Sequence, residues 1–254
     1  MNEATRARLL EINRDFYTTV TAPFNATRQA HTPGKARLVA LIGAQPEGEP
    51  LRVLDVGCGN GRLAFMLEAL GRPIDYVGVD AASGLLELAA ENTRDLIHVR
   101  TRFIQADLAG DSWSEALAGN FDAVLCLATL QHMPGYALRS RLVTTLGRLT
   151  ADDGILIISA WQFMESDRLR ARVLPWEEAD VDATQIEPGD ALLPWKQEVY
   201  AVRYVHQTTA QEFTRLATDS GLRITDTFRA DGREGNLNLY VLLQRINVGA
   251  ESDT

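Results

Sequence analysis

Apolar residues recur every three or four positions along residues 4–20, with Leu9, Ile12, Phe16 and Val20 on one face. That period predicts an amphipathic helix docked on another part of the chain. A stretch of small and polar residues, TAPFNATRQAHTPG, separates it from a second helix expected near residues 34–43. The pattern then changes period. Near-continuous apolar runs (RVLDVG, DYVGVD, TRFIQAD, FDAVLCLA, GILIISAW) read as strands, and GRLAFMLEAL, SGLLELAAENT and ALRSRLVTTLGRL read as helices between them. Strands that are apolar on both faces and joined through helices predict a parallel sheet with helices on both sides.

The C-terminal part breaks this rhythm. TAQEFTRLATDSGL reads as a helix capped by Thr208 or Thr209, and RITDTFRA, DGREGN and LNLYVLLQR then read as strand, turn and strand. Such a hairpin makes the last strand antiparallel. Residues 162–207, with Pro175, Pro188, Pro194, Trp176 and Trp195, are too long for a simple connection and are expected to lid a site. The organisation expected is therefore a helical cap over residues 1–45 and an α/β domain over 46–254 that carries the 162–207 insertion, with a frayed GAESDT tail.

Composition narrows the function class. With 254 residues, 46% hydrophobic and 23% charged, the chain reads as one globular domain with an elaboration. No apolar run approaches membrane-spanning length and the first residues lack a signal-peptide core, so no membrane partner and a cytoplasmic location are expected. A net charge of -9 opposes non-specific attraction to phosphates. Only Lys35 and Lys196 are lysines, so the positive charge is almost all arginine, suited to planar bidentate contacts. Two cysteines, Cys58 and Cys126, make neither a disulfide framework nor a metal cluster, and the four histidines suggest no metal site.

Chemistry concentrates after the first strand, in Asp55-x-Gly57-x-Gly59-x-Gly61. Glycines there let backbone approach a ligand closely. A P-loop would need Gly-Lys-Ser/Thr, whereas Arg62 and Leu63 follow Gly61; a dinucleotide fingerprint would need glycine where Arg62 stands. The loop, Asp80 and Asp107 closing the next two strands, and the terminal hairpin together resemble the class I S-adenosylmethionine-dependent methyltransferases. The resemblance implies a seven-stranded, mostly parallel, Rossmann-like sheet with an antiparallel last strand. It implies S-adenosylmethionine as cofactor and S-adenosylhomocysteine as product. Asp55, Gly57, Cys58, Gly59 and Gly61 would then lie along the amino-acid moiety and Asp80 with Ala81 at the ribose. Asp107 and Leu108 would meet the adenine, and Cys126 and Leu127, in the motif IV-like FDAVLCLATLQHM, would run beneath the methionine portion.

APFNATR, LQHM, GDALLPWKQ with VRYVHQTTAQEFTRL, and DGREGNLNLYVLL resemble a narrower group, the tRNA methyltransferases that esterify 5-carboxymethyluridine at the wobble position. That resemblance implies a tRNA acceptor, and a small activating partner protein is a further partner to be considered. Methyl transfer to a carboxylate or another oxygen of a modified tRNA uridine is the leading expectation, and the chain departs from that group's pattern at several positions. Gln131 stands where the family shows the first of two histidines, Val205 replaces a tyrosine and Leu237 an aromatic. Residues 161–200 hold nine Asp or Glu against four Arg or Lys, which would repel an RNA backbone. A small-molecule O- or N-methyltransferase is therefore the alternative, and a non-catalytic cofactor-binding partner protein a third.

A carboxylate is already ionised at neutral pH, so its methylation needs positioning rather than a base. Arg28 and Arg203 are the expected clamps, His132 the group nearest the methyl, and Tyr17, Tyr204, His206 and Trp195 the acceptor wall. A hydroxyl or phenol acceptor would instead make His132 the general base. Duller roles compete: Arg28 as a pin for the N-terminal segment, His132 as a helix-entry residue, Trp176 and Trp195 as lid packing. In an extended strand Arg203 and Val205 share one face, Tyr204 and His206 the other, so all of 203–206 cannot line one pocket.

Overall fold

The computed structural model describes residues 1–26, 32–45, 50–117, 119–196 and 198–246. Among these are the helices α1 (Glu3–Ala26), α2 (Pro33–Gly43), α3 (Arg62–Leu67), α4 (Ser83–Thr93), α5 (Tyr136–Leu149), α6 (Asp167–Arg170) and α7 (Ala210–Asp219). The strands are β1 (Leu51–Val56), β2 (Ile74–Asp80), β3 (Val99–Gln105), β4 (Phe121–Leu127), β5 (Thr150–Trp161), β6 (Asp190–Lys196), β7 (Tyr200–His206), β8 (Leu222–Ala230) and β9 (Asn238–Arg245).

Seven strands form one sheet in the order β3-β2-β1-β4-β5-β9-β8. The first five pair in parallel, and β9 inserts antiparallel between β5 and β8, as the terminal hairpin requires. Alternate side chains of each central strand enter different cores. Leu54, Val56, Val124 and Ile158 pack with α5 and α7 through Leu142, Leu146, Phe213 and Leu216. Val53, Leu125 and Ile157 pack on the other face with Leu38 and Ile42 of α2 and Leu63 of α3.

Helix ends follow local chemistry. Pro33 sits in the first turn of α2 and the Thr32 side chain accepts from the Lys35 amide, while Thr209 accepts from the Glu212 amide at the start of α7. The α3 segment is shorter than its apolar run suggests. It tightens into a 3-10 turn at Glu68–Leu70 and stops at Gly71, whose φ of +63° suits glycine.

The 162–207 insertion is not a loose cover. Its second half is a separate antiparallel hairpin, β6 with β7, paired from Asp190↔His206 to Lys196↔Tyr200. The apolar stripe of α1 covers it: Leu9 and Ile12 pack with Leu192 and Tyr204, and Phe16 and Val20 with Ala201 and with Leu85 of α4. Helix α1 extends to Ala26, beyond the periodic stretch ending at residue 20.

Candidate active site

The C-terminal ends of β1, β2, β4 and β5 open into a cavity of about 840 Å³, roofed by α1. Parallel strands present these ends together where their order reverses, at the β1–β4 neighbours. Gly57 has φ +79° and lies so close to Thr129 that a Cβ would collide with its side chain. Gly59 has φ +56°, and a Cβ there would meet nothing within 4 Å. The loop is thus held by its backbone conformation, and the space beside Gly59 remains open for a ligand.

Asp80 shapes this loop from below. Its carboxylate accepts from the Gly59 amide and from the Ala82 amide, each at 2.9 Å. Burial nevertheless raises its pKa, partly offset by these amides. Asp55 accepts from the Tyr76 hydroxyl at 2.6 Å, and burial pushes its pKa up to about 6. Cys58, Ala81, Leu108 and Leu127 also line the cavity. Asp107 lies at its edge, half exposed, 3.4 Å from Arg14 of α1. An open glycine backbone and two carboxylates at adjacent strand ends fit an adenosine cofactor carrying an amino-acid tail.

Two residues expected at the cofactor lie elsewhere. Gly61, φ +74°, faces Ala89, whose Cβ would be 3.0 Å from an added Cβ; it brings α3 against α4 rather than lining the cavity. Cys126 is fully buried in the core toward α5, and burial pushes its thiol up to about 12. The strand alternation sends its neighbours Leu125 and Leu127 to the opposite face.

His132 reaches the cavity from a 3-10 turn, Leu130–His132, just after β4. The chain enters this turn through Ala128, whose φ of +51° is strained for a residue with a Cβ. Its Nδ1 lies 3.0 Å from the Tyr204 carbonyl oxygen, and its Nε2 lies 2.9 Å from the Tyr17 hydroxyl. A carbonyl oxygen only accepts, so Nδ1 carries the proton and Nε2 of the neutral ring accepts from the Tyr17 hydroxyl. Gln131, preceding it, is buried and turned away, its Oε1 accepting from the Trp161 amide at 2.9 Å.

The acceptor wall drawn from residues 195–206 needs correction. Tyr204 is buried, its hydroxyl donating to Asp190 at 2.7 Å. His206 is held between Asp190 at 2.7 Å and Glu212 at 2.8 Å, and Glu212 in turn accepts from buried Arg139. Neither lines the cavity; both belong to the hairpin's interior. Arg203 is 7% exposed, its guanidinium carbon 4.4 Å from the Trp161 ring centroid and 5.2 Å from that of Phe16. Trp195 packs edge-on against Phe16 at 6.1 Å. Arg203 and Trp195 therefore stand behind the wall that Trp161 forms. Arg28 lies outside the described residues, and Tyr17 is on the wall.

Sequence reasoning did not single out Asn13, Leu10, Met133, Trp161 or Asn238, which line the cavity. Asn13 had a visible signal: it is a polar residue on the apolar face of α1, between Ile12 and Phe16, and it is buried. Among the described residues no group of His, Cys, Asp and Glu could hold a metal ion, and no helix is long and apolar enough to cross a membrane.

Residues 53–154 match the methyltransferase domain family. A protein of Encephalitozoon cuniculi named as a methyltransferase is 27% identical over 83% of this chain and 87% of its own. The ubiquinone biosynthesis O-methyltransferase of Azorhizobium caulinodans is 36% identical over 43% of this chain, a match spanning 40% of that protein. Among solved structures, an S-adenosylmethionine-dependent methyltransferase from Methanosarcina mazei superposes with a TM-score of 0.61 at 22% identity, covering 78% of this chain and 94% of that one. The magnesium protoporphyrin IX methyltransferase of Synechocystis, solved with bound S-adenosylmethionine, gives a TM-score of 0.55 at 21% identity over 84% of this chain and 78% of its own.

Proposed function

We propose that this chain, an S-adenosylmethionine-dependent methyltransferase, takes a hydroxyl of a small molecule as its acceptor, with His132 as general base. The observation that carries this reading is the fixed ring of His132: Nδ1 is committed to the Tyr204 carbonyl at 3.0 Å, so Nε2 is the basic nitrogen and accepts from the Tyr17 hydroxyl on the cavity wall at 2.9 Å. An uncharged hydroxyl is a weak nucleophile and needs such a base; a carboxylate does not.

Gly57, Gly59, Asp80 and Asp107 are the residues that would hold the cofactor, which supplies an electrophilic methyl group when bound. An acceptor hydroxyl beside Tyr17 gives its proton to the Tyr17 oxygen as the Tyr17 proton passes to Nε2, so the acceptor oxygen becomes nucleophilic, and the resulting imidazolium keeps its Nδ1 bond to the Tyr204 carbonyl. Leu10, Met133, Trp161 and Leu237 add apolar surface to the cavity lining, suited to an organic ring or chain. The name of the Azorhizobium relative, an O-methyltransferase, agrees with oxygen as the target.

A carboxymethyluridine acceptor calls for arginine clamps, and Arg203 is enclosed among the rings of Trp161, Phe16 and Trp195. The acidic insertion also opposes a polyanion. The test is transfer of labelled methyl to a cell extract divided into tRNA and small-molecule fractions, followed by mild base. Label in the small-molecule fraction that survives base is the expected result. Label in tRNA released by mild base would instead indicate an ester and overturn the proposal.

A further inference from the structure

Three separate elements meet at Asn13. Its side-chain oxygen accepts from the Tyr204 amide at 2.9 Å, and its side-chain nitrogen donates to the His132 carbonyl at 3.3 Å. Tyr204 lies on the edge of β7 away from β6, so its amide and carbonyl both point out of the hairpin. Asn13 takes the amide and the His132 ring takes the carbonyl. The result is a closed circuit in which one amide side chain of α1 holds the backbone of His132 and the backbone of the residue that holds its ring.

Resting on the reading of His132 as base, we infer that Asn13 is a positioning residue that sets the tautomer and the aim of His132 without touching the acceptor oxygen. The chemistry calls for an amide. Asparagine offers a donor and an acceptor a fixed distance apart, and both partners here are buried backbone groups that would otherwise lose a bond. Aspartate keeps the acceptor but turns an anionic oxygen toward the His132 carbonyl. Serine is too short to span both. Helix α1 is thus part of the catalytic apparatus as well as a cover, because a shift of its register would move the Tyr204 carbonyl and with it the proton on Nδ1.

The experiment uses the full chain with Asn13→Asp and Asn13→Ser, and reads the His132 ring nitrogens by NMR in the absence of cofactor, together with kcat, KM and thermal midpoint. The expected wild-type spectrum shows one tautomer, protonated at Nδ1. The variants should show a mixture, with kcat about tenfold to a hundredfold lower, cofactor KM within about twofold, and the acid limb of the pH profile displaced. An unchanged tautomer and kcat in either folded variant would overturn the inference; should Asn13→Asp fail to fold, Asn13→Ser carries the same readout. His132→Gln separates the two proposals. If it leaves kcat intact, the base assignment fails while the tautomer measurement still judges Asn13; if it abolishes turnover and the Asn13 variants do not change, only the Asn13 inference falls.

Discussion

At the scale of single residues, the protein places two kinds of unusual group side by side: glycines that must be glycine and acids that are uncomfortable. Asp55 is the clearest acid. Burial raises its folded pKa to about 6 from 3.8, so the folded chain holds a proton there that the unfolded chain releases. The sign follows: Asp55 weakens folding progressively as pH rises from about 4 to about 6, by up to about 3 kcal/mol at roughly 1.4 kcal/mol per pKa unit. In Asp55→Asn, which can still accept from Tyr76, urea midpoints measured across that range should lose this part of their slope. Removing the ring of His132 is expected to act on rate alone: His132→Ala should lower kcat by about 10² to 10⁴, the usual worth of a general base, with cofactor affinity by calorimetry unchanged. A parallel loss of cofactor binding would reassign His132 to the cofactor site.

Among the elements, α1 determines most about the site. It buries Leu9, Ile12, Phe16 and Val20 against the β6–β7 hairpin and α4, and the same helix turns Leu10, Asn13, Arg14 and Tyr17 toward the cavity. Stability and access are therefore coupled through one rigid piece. Phe16 is 1% exposed and sits edge-on to both Tyr17 and Trp195. Phe16→Ala should cost about 3–5 kcal/mol in denaturant unfolding and lower kcat as Tyr17 loses its support. The exposed Arg14–Asp107 pair is a different matter, since pairs open to solvent contribute little. Arg14→Ala should leave the melting midpoint nearly unmoved, which a simple thermal scan would check.

For the molecule as a whole, the sheet and the added hairpin are joined by a chain of ionic groups, buried at Arg139, Asp190 and His206 and partly exposed at Glu187 and Glu212. Arg139 of α5, 1% exposed, reaches Glu187 at 2.7 Å and Glu212 of α7 at 2.8 Å, and Glu212 holds His206 of β7. Arg139→Met would leave two carboxylates without their cation and should destabilise folding by about 3–5 kcal/mol, read from the urea midpoint. Burial opposes charge on His206, yet its bonds to Asp190 and Glu212 outweigh that and raise its pKa above 6.5. Its contribution is complete below about 6.5 and is lost as pH rises through the higher folded value. Glu212 shifts the other way: burial is outweighed by His206 and Arg139, its pKa falls below 4.5, and its contribution is lost on acidification through that lower value. The network is strongest between those limits. His206→Asn should flatten the alkaline side of the stability curve and Glu212→Gln the acid side.

What the sequence determined by itself was whatever rests on neighbours along the chain. The two-sided apolar strands, the glycine loop with Asp80 and Asp107 at successive strand ends, the antiparallel last strand and the buried stripe of α1 are all local periodicities or spacings; they led to a mostly parallel sheet closed by an antiparallel strand, and the resemblance they carry implied the cofactor. What only the tertiary structure decided rests on contacts between residues far apart. Spacing could show that Tyr204 and His206 share a strand face, but not that this face turns inward to Asp190 and Glu212, because β6 and α7 supply the acids. Nor could it show that Arg203 lies behind Trp161, or that Asn13, 119 positions from His132, closes the circuit that orients it. A polar residue in an apolar stripe signals that a partner exists; only the packing of α1 on β7 says which backbone groups it serves.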